Sequence, residues 1–216
     1  MTKVHEIAIR IVKPGKEESF ANRRSEFIRK LKTQKGVLVD REFESFLALP
    51  TPDERPVYIG MTTYENLDAV NRVQYNPLVM FKFVPFFMTM NLKAYVFAKQ
   101  TSGAELNLAT LAAQPGEVLQ ISVRKTHPEN KERFDTAQAR FLELLLARDG
   151  AGQHYELSAV KGFGDVSGIT VGLTSFASEE AFSETFDALS EHEATQAYFD
   201  TFTPLASQFA RTTKSS

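Results

Sequence analysis

Four histidines, His5, His127, His154 and His192, are the side chains whose ordinary pKa lies nearest neutrality. No two have the i, i+4 spacing with which a helix presents paired imidazoles to one metal ion, so the pattern predicts no metal site. His192 lies in Ser190-Glu191-His192-Glu193. Its acidic neighbours read as a solvated face, and the alternative is a proton donor or haem ligand at a pocket rim. Glu6 and Arg10, and again Gln120 and Arg124, stand two alternations apart on strand-like runs, so each pair shares one strand face. They read as polar contacts within the fold, with Arg10 and Arg124 also able to orient an acidic ligand. Asp40, Glu42 and Glu44 alternate on another strand, as an acidic cluster or as an exposed or arginine-paired face. Lys161-Gly162-Phe163-Gly164 contains a GxG, but it precedes a strand instead of opening a helix, so it reads as a hairpin loop. From Leu78 to Met90 the chain is apolar on every helical face, with Phe81, Phe83, Phe86, Phe87 and Met88. Such a segment must be covered by protein or ligand. It predicts core packing, a dimer interface, or a pocket for a planar aromatic molecule roofed by Tyr75, Tyr95 and the Phe rings.

Composition removes other chemistries. The 216 residues are 43% hydrophobic and 24% charged with a net charge of −2, which leaves no basic footprint for nucleic acid or a membrane surface. There is no cysteine, which excludes disulfides, thiolate metal sites and cysteine nucleophiles. Bulky apolar demand falls on 18 Phe, since Trp is absent. The start, Met1 to Glu6, has no apolar core of a signal peptide. The stretch from Leu78 to Met90 contains Lys82 and Pro85 and is too short to span a bilayer. A cytoplasmic protein is expected, with a frayed tail after Ala210.

The elements that must position these residues occur twice. Ile7-Ala8-Ile9-Arg10-Ile11 matches Ile121-Ser122-Val123-Arg124-Lys125 at an offset of 114, and the offset also pairs Pro14 with Pro128, Phe27 with Phe141 and Gly36 with Gly150. Tyr58 to Tyr64 matches Thr170 to Phe176 at an offset of 112, as do Phe97-Ala98 and Phe209-Ala210. In each copy an alternating strand precedes a helix with one apolar face, then two strands, a second helix and a last strand. The pattern predicts an α+β fold of two ferredoxin-like βαββαβ repeats, 1–99 and 117–213, joined by a linker at 100–116. A four-stranded sheet with helices on one side leaves its other face open, and two such faces can pair into a barrel within one chain. Ile7, Ile9 and Ile11, with Leu119, Ile121 and Val123, are expected under the helices. Glu6, Arg10, Gln120 and Arg124 are then expected inside the barrel.

Several runs carry a resemblance: Val12-Lys13-Pro14-Gly15-Lys16-Glu17-Glu18-Ser19-Phe20, Gly36 after the first helix, Tyr64-Glu65-Asn66-Leu67-Asp68-Ala69, and Phe176-Ala177-Ser178-Glu179-Glu180-Ala181-Phe182. Each half resembles a dimeric α/β-barrel module of the antibiotic-biosynthesis-monooxygenase type, over nearly the whole chain. The resemblance implies either cofactor-free oxygenation of aromatic polyketides or haem degradation. The haem-degrading branch uses an Asn on strand one, a Trp ending strand three and a His on helix two. This chain has Glu6, Ala8, Gln120 and Ser122 on strand one, Tyr64 and Phe176 at the Trp positions, and a helix-two histidine, His192, in the second copy alone. No haem-degrading activity and no cofactor are therefore expected. The expected activity is monooxygenation of a small hydrophobic or aromatic molecule, and the alternative is a non-catalytic ligand-binding or stress-related barrel. Tyr64, Asn66 and His192 are the candidate catalytic residues. Asn76, Phe83, Phe87, Tyr95, Arg10 and Arg124 are the candidate ligand contacts, and a homodimer is the candidate assembly.

Overall fold

The computed structural model describes residues 2–213. The first half runs β1 (Val4–Val12), α1 (Glu17–Lys32), β2 (Val37–Leu49), β3 (Val57–Tyr64), α2 (Leu67–Gln74), α3 (Pro77–Phe87) and β4 (Met90–Ser102). The second runs β5 (Val118–Lys125), a 3₁₀ turn (Pro128–Asn130), α4 (Lys131–Leu146), β6 (Ala151–Gly162), β7 (Ile169–Phe176), α5 (Glu179–Ser190), α6 (Glu193–Phe199) and β8 (Thr203–Thr212). The second helix expected in each half is thus two helices meeting at a cap. Arg211 and Thr212 of the expected frayed tail belong to β8, and residues 214–216 lie outside the described residues.

All eight strands close into one antiparallel barrel in the order β1-β3-β2-β8-β5-β7-β6-β4. Two seams join the halves, β2 with β8 and β4 with β6. Local sequence explains the helices. α1 buries Phe20, Phe27 and Leu31 along one face, with Glu17 and Glu18 in its first turn and Arg29, Lys30 and Lys32 in its last, which suits the helix dipole. After α1, Gly36 adopts φ +91°, and a Cβ there would lie 2.6 Å from the Ala69 Cβ of α2. Gly150 does the same after α4, against Ala181 of α5 at 2.5 Å. Both positions need a left-handed backbone and a bare α-carbon.

The strand faces are reversed from expectation. Ile7, Ile9, Ile59 and Met61 do not pack under the helices. They meet Ile121, Val123, Val171 and Leu173 inside the barrel, in one buried cluster shared by both halves. Glu6, Arg10 and Arg124 lie instead between sheet and helices, where Arg10 sits over the Phe86 ring of α3 and Arg124 over Phe134 of α4 and Tyr198 of α6. The reason is enclosure. The interior of a small barrel is walled by main chain and filled by one set of side chains, so a charge there finds no water and little room for a partner. Under the helices, long side chains such as Arg24 and Gln138 reach down and supply partners.

The expected linker is also part of the core. Leu106, Leu108 and Leu111 join the interior cluster. The Arg41 guanidinium of β2 donates to the Leu108 carbonyl at 3.0 Å, to the Leu111 carbonyl and to Thr212 Oγ1 at 2.5 Å. No helix of the described residues is long and apolar enough to cross a membrane.

Candidate functional site

Each half holds a polar layer between its sheet and its helices, centred on a buried arginine and a carboxylate two strands away in the barrel. In the second half, Arg124 of β5 places Nη2 2.5 and 2.7 Å from the two Glu156 oxygens of β6, and its Nη1 donates to the Tyr198 hydroxyl. Glu156 also accepts from Gln138 Nε2 at 2.9 Å and faces His154 Nε2 at 3.3 Å. Burial opposes the Glu156 carboxylate, but Arg124 and His154 outweigh it and hold its pKa below the usual range. In the first half, Arg10 stands 3.5 Å from Glu42, which also pairs with Arg24. Burial dominates there and pushes Glu42 up to about 6. Gly60 and Gly172 make room for the two guanidiniums, since a Cβ at either position would collide with or press on the arginine.

The halves differ beside this layer. In the first, the space is filled. Tyr64 donates its hydroxyl to Glu6 at 2.7 Å, and Tyr95 packs edge-on to Phe97 and stacked on Phe163. Burial raises the Glu6 pKa against the opposing pull of Tyr64 and Arg10. In the second half a cavity of about 380 Å³ opens. Phe141 and Leu145 of α4, Phe182 and Leu189 of α5, and Phe209 of β8 form its apolar walls. Leu49 and Pro50, at the end of β2, reach across the seam to complete it. Its polar atoms come from Gln120, Thr185, Ser190, Thr195 and Ser207, and the buried Thr195 hydroxyl has no hydrogen-bond partner. A second chamber of about 30 Å³ shares Gln120, Phe141, Phe199 and Ser207 with it and leads to Arg124, His154 and Thr174. That is room for one water-sized group among polar partners. The apolar segment from Leu78 to Met90, for which a pocket was one of three expectations, does not line this cavity. Tyr95 fills the first half, whereas Ser207 leaves the second open.

The candidate residues divide accordingly. Tyr64, Tyr95 and Arg10 come together around Glu6 in the closed half. Arg124 lines the small chamber of the open half. Asn66 caps α2 by accepting from the Ala69 amide at 2.9 Å, and Asn76 caps α3 by accepting from the Leu78 amide at 3.0 Å. His192 caps α6, its Nδ1 accepting from the Ala194 amide at 3.1 Å, and it does not line the cavity. Phe83 packs on Phe27 of α1, and Phe87 packs on Phe83. The apolar segment is uncovered on its outer side, where Leu78, Phe81 and Met88 are 63%, 73% and 63% exposed. Gln120, Ser207, His154 and Glu156 escaped the sequence reading as a set. One signal was available: Glu42 and Glu156 keep the same 114-residue offset as Arg10 and Arg124.

No group of three or more His, Cys, Asp or Glu among the described residues is arranged to hold a metal ion. A haem iron needs an axial His, Cys, Met or Tyr. None lines the cavity, and His154 and Tyr198 of the adjoining chamber already have their polar atoms engaged. The site does not fit haem.

No protein-family model matches the chain, and no curated protein does. Solved structures do. An anthrone oxidase-like protein superposes with a TM-score of 0.70 at 8% identity, over 99% of this chain and 92% of that one. A proposed monooxygenase of Fusobacterium nucleatum subsp. nucleatum gives 0.63 at 12% identity, over 99% and 93%. A heme-binding protein of Thermus thermophilus gives 0.55 at 10% identity, over 99% and 92%. At these identities the likeness speaks for architecture alone. The chain has the dimeric α/β-barrel fold found among monooxygenase-like proteins, with both halves of the barrel in one polypeptide.

Proposed function

We propose that the second-half cavity binds a small hydrophobic or aromatic molecule and that the protein is a cofactor-independent, monooxygenase-like enzyme acting on it. The observation that carries this reading is the cavity itself: apolar walls, a few polar side chains among which the buried Thr195 hydroxyl has no partner, and a charged cluster at its base. Apolar pockets with few convergent polar groups are the usual form of small-molecule sites. In cofactor-free oxygenation the deprotonated substrate itself reduces oxygen. The protein then needs to exclude water and stabilise an enolate-like oxygen with fixed donors. The Gln120 carboxamide, the Thr195 hydroxyl and the Arg124 field supply those donors. The anthrone oxidase-like neighbour supports the choice of substrate class. The same reading takes residues 1–99 and 117–213 as two repeats of one unit and the protein as cytoplasmic.

A non-catalytic binding role is the second reading. It is favoured by His154, whose two ring nitrogens are committed to Thr174 at 2.8 Å and Glu156 at 3.3 Å, which leaves no free base in the chamber. Oxygen uptake with anthrone, measured with and without the protein after metal chelation, separates the two. Protein-dependent uptake supports the enzyme. Binding of anthrone without uptake supports the binding protein, and neither binding nor uptake overturns the assignment of an aromatic ligand to the cavity.

A further inference from the structure

We propose that Tyr95 is a built-in occupant of the first half's counterpart of the cavity, so that the barrel carries one ligand site, and that the site around Ser207 takes a monocyclic phenol shaped like the Tyr95 side chain. The second clause rests on the aromatic-ligand reading above; the first stands without it.

Strand register supplies the correspondence. Tyr95 of β4 pairs with Ala8 of β1, and Ser207 of β8 pairs with Ser122 of β5. The Tyr95 ring lies edge-on to Phe97, with centroids 5.2 Å apart and planes at 87°. Its other face stacks on Phe163 at 5.0 Å and 27°. Its hydroxyl meets Gln74 Nε2 at 3.5 Å and faces Glu6. Each partner has an equivalent around the cavity at the same offsets, Phe209 for Phe97, Phe186 for Gln74 and Gln120 for Glu6 in the second half, and Leu49, reaching across the seam from β2, for Phe163. All four equivalents, and Ser207 itself, line the cavity. The surroundings of the tyrosine ring are thus repeated in the second half, and the ring is replaced by a hydroxymethyl group. The void is where a phenol would be.

The repeated surroundings also define the chemistry. Phe209, Phe186 and Leu49 present apolar walls to a ring. Gln120 makes no side-chain hydrogen bond among the described residues, and its carboxamide can donate to or accept from a phenol hydroxyl. Glu6, in the same place, can only accept while ionised, which matches the tyrosine hydroxyls that face it.

The test uses p-cresol, the tyrosine side chain as a free molecule, with toluene as its partner lacking the hydroxyl. Calorimetry and thermal melting are run on the full chain, Ser207→Tyr, Tyr95→Ser and the double variant. Wild type is expected to bind one p-cresol, with toluene at least about tenfold weaker because the carboxamide loses its partner. Ser207→Tyr should lose that binding. Tyr95→Ser should melt lower than wild type, bind two p-cresol molecules and recover part of its melting temperature when p-cresol is added. The double variant should bind one, now in the first half. If Tyr95→Ser folds only when p-cresol is present, the plug is supported. If it folds in neither condition, or folds and gains no site while wild type binds one, the plug is overturned. A wild type that binds no p-cresol beside a Tyr95→Ser variant that binds one overturns the aromatic-ligand reading and leaves the plug standing.

Discussion

At the scale of the residue, the buried pairs set the energetics. Arg124 is 2% exposed, and Glu156 loses its main counter-charge without it. Arg124→Met should therefore cost about 3–5 kcal/mol, because a buried carboxylate is left without its main counter-charge. The double variant Arg124→Met/Glu156→Leu should recover most of that loss, as measured by urea unfolding. His5 gives a pH dependence with a definite sign. Burial, aided by Lys3, lowers its pKa from 6.5 to about 4. The unfolded chain then binds a proton between those values that the folded chain refuses, so stability falls as pH drops from about 6.5 towards 4. The group should cost about 2 kcal/mol at pH 5 relative to pH 7. His5→Asn, which can keep the bond to Thr63, should remove that part of the acid loss. Urea unfolding at the two pH values checks it. Glu42 works the other way: its raised pKa stabilises the fold below about 4.5, and that contribution is lost as pH rises through about 6. The arginines could be picked out in the sequence because alternation places them on one strand face. Glu42 could be read as facing an arginine, but which arginine, and Glu156 as its counterpart, could not, because these carboxylates come from strands two steps away in the barrel.

Among the elements, α3 shows where local pattern and packing part. Its sequence is apolar on every face, yet Phe86 is 1% exposed while Phe81 is 73% exposed. Phe86→Asp should unfold the protein, since burying an unpaired charge costs more than a domain's margin allows. Phe81→Asp should change the melting stability by less than about 0.5 kcal/mol. Circular dichroism melts of both distinguish this from an α3 covered all round. The segment between β4 and β5 packs more than its sequence shows. Its Ser102-Gly103 and Pro115-Gly116 dipeptides read as a joint, and Leu106, Leu108 and Leu111 between them belong to the buried interior cluster. Leu108→Ala should cost about 2–5 kcal/mol, as for any core leucine, and a flexible linker would show nothing. The cap residues teach the same lesson. Asn66 and His192 were candidates for catalysis and Asn76 for ligand contact, and each side chain caps a helix start.

For the whole molecule, closure is the central fact. Neither half buries its Ile7, Ile9 and Ile59 face, or its Ile121, Val171 and Leu173 face, without the other. The fragment 1–99 alone should therefore not remain a monomer. Size-exclusion chromatography with light scattering should show a dimer or aggregate, and a folded monomeric fragment would contradict the packing described. The two seams, β2 with β8 and β4 with β6, also explain why the cavity belongs to both halves: Leu49 pairs with Ser207 across one of them.

The order of strands and helices, the one-sided α1 and the matching runs at offsets of 114 and 112 are all present in the sequence, because periods of two and of 3.6 residues are local properties of the chain. Alternation sorted Ile7 and Ile9 from Glu6 and Arg10 correctly. It carried no information on which set would face inward, since both faces of each sheet are covered and only closure of the barrel makes one of them the drier. The position of the cavity was equally out of local reach. It depends on a tyrosine at position 95 and a serine at position 207 occupying equivalent places, and on Leu49 and Phe163 each reaching across to the other half, Leu49 to the cavity and Phe163 to the Tyr95 ring. Those relations exist only once strands distant in sequence have paired.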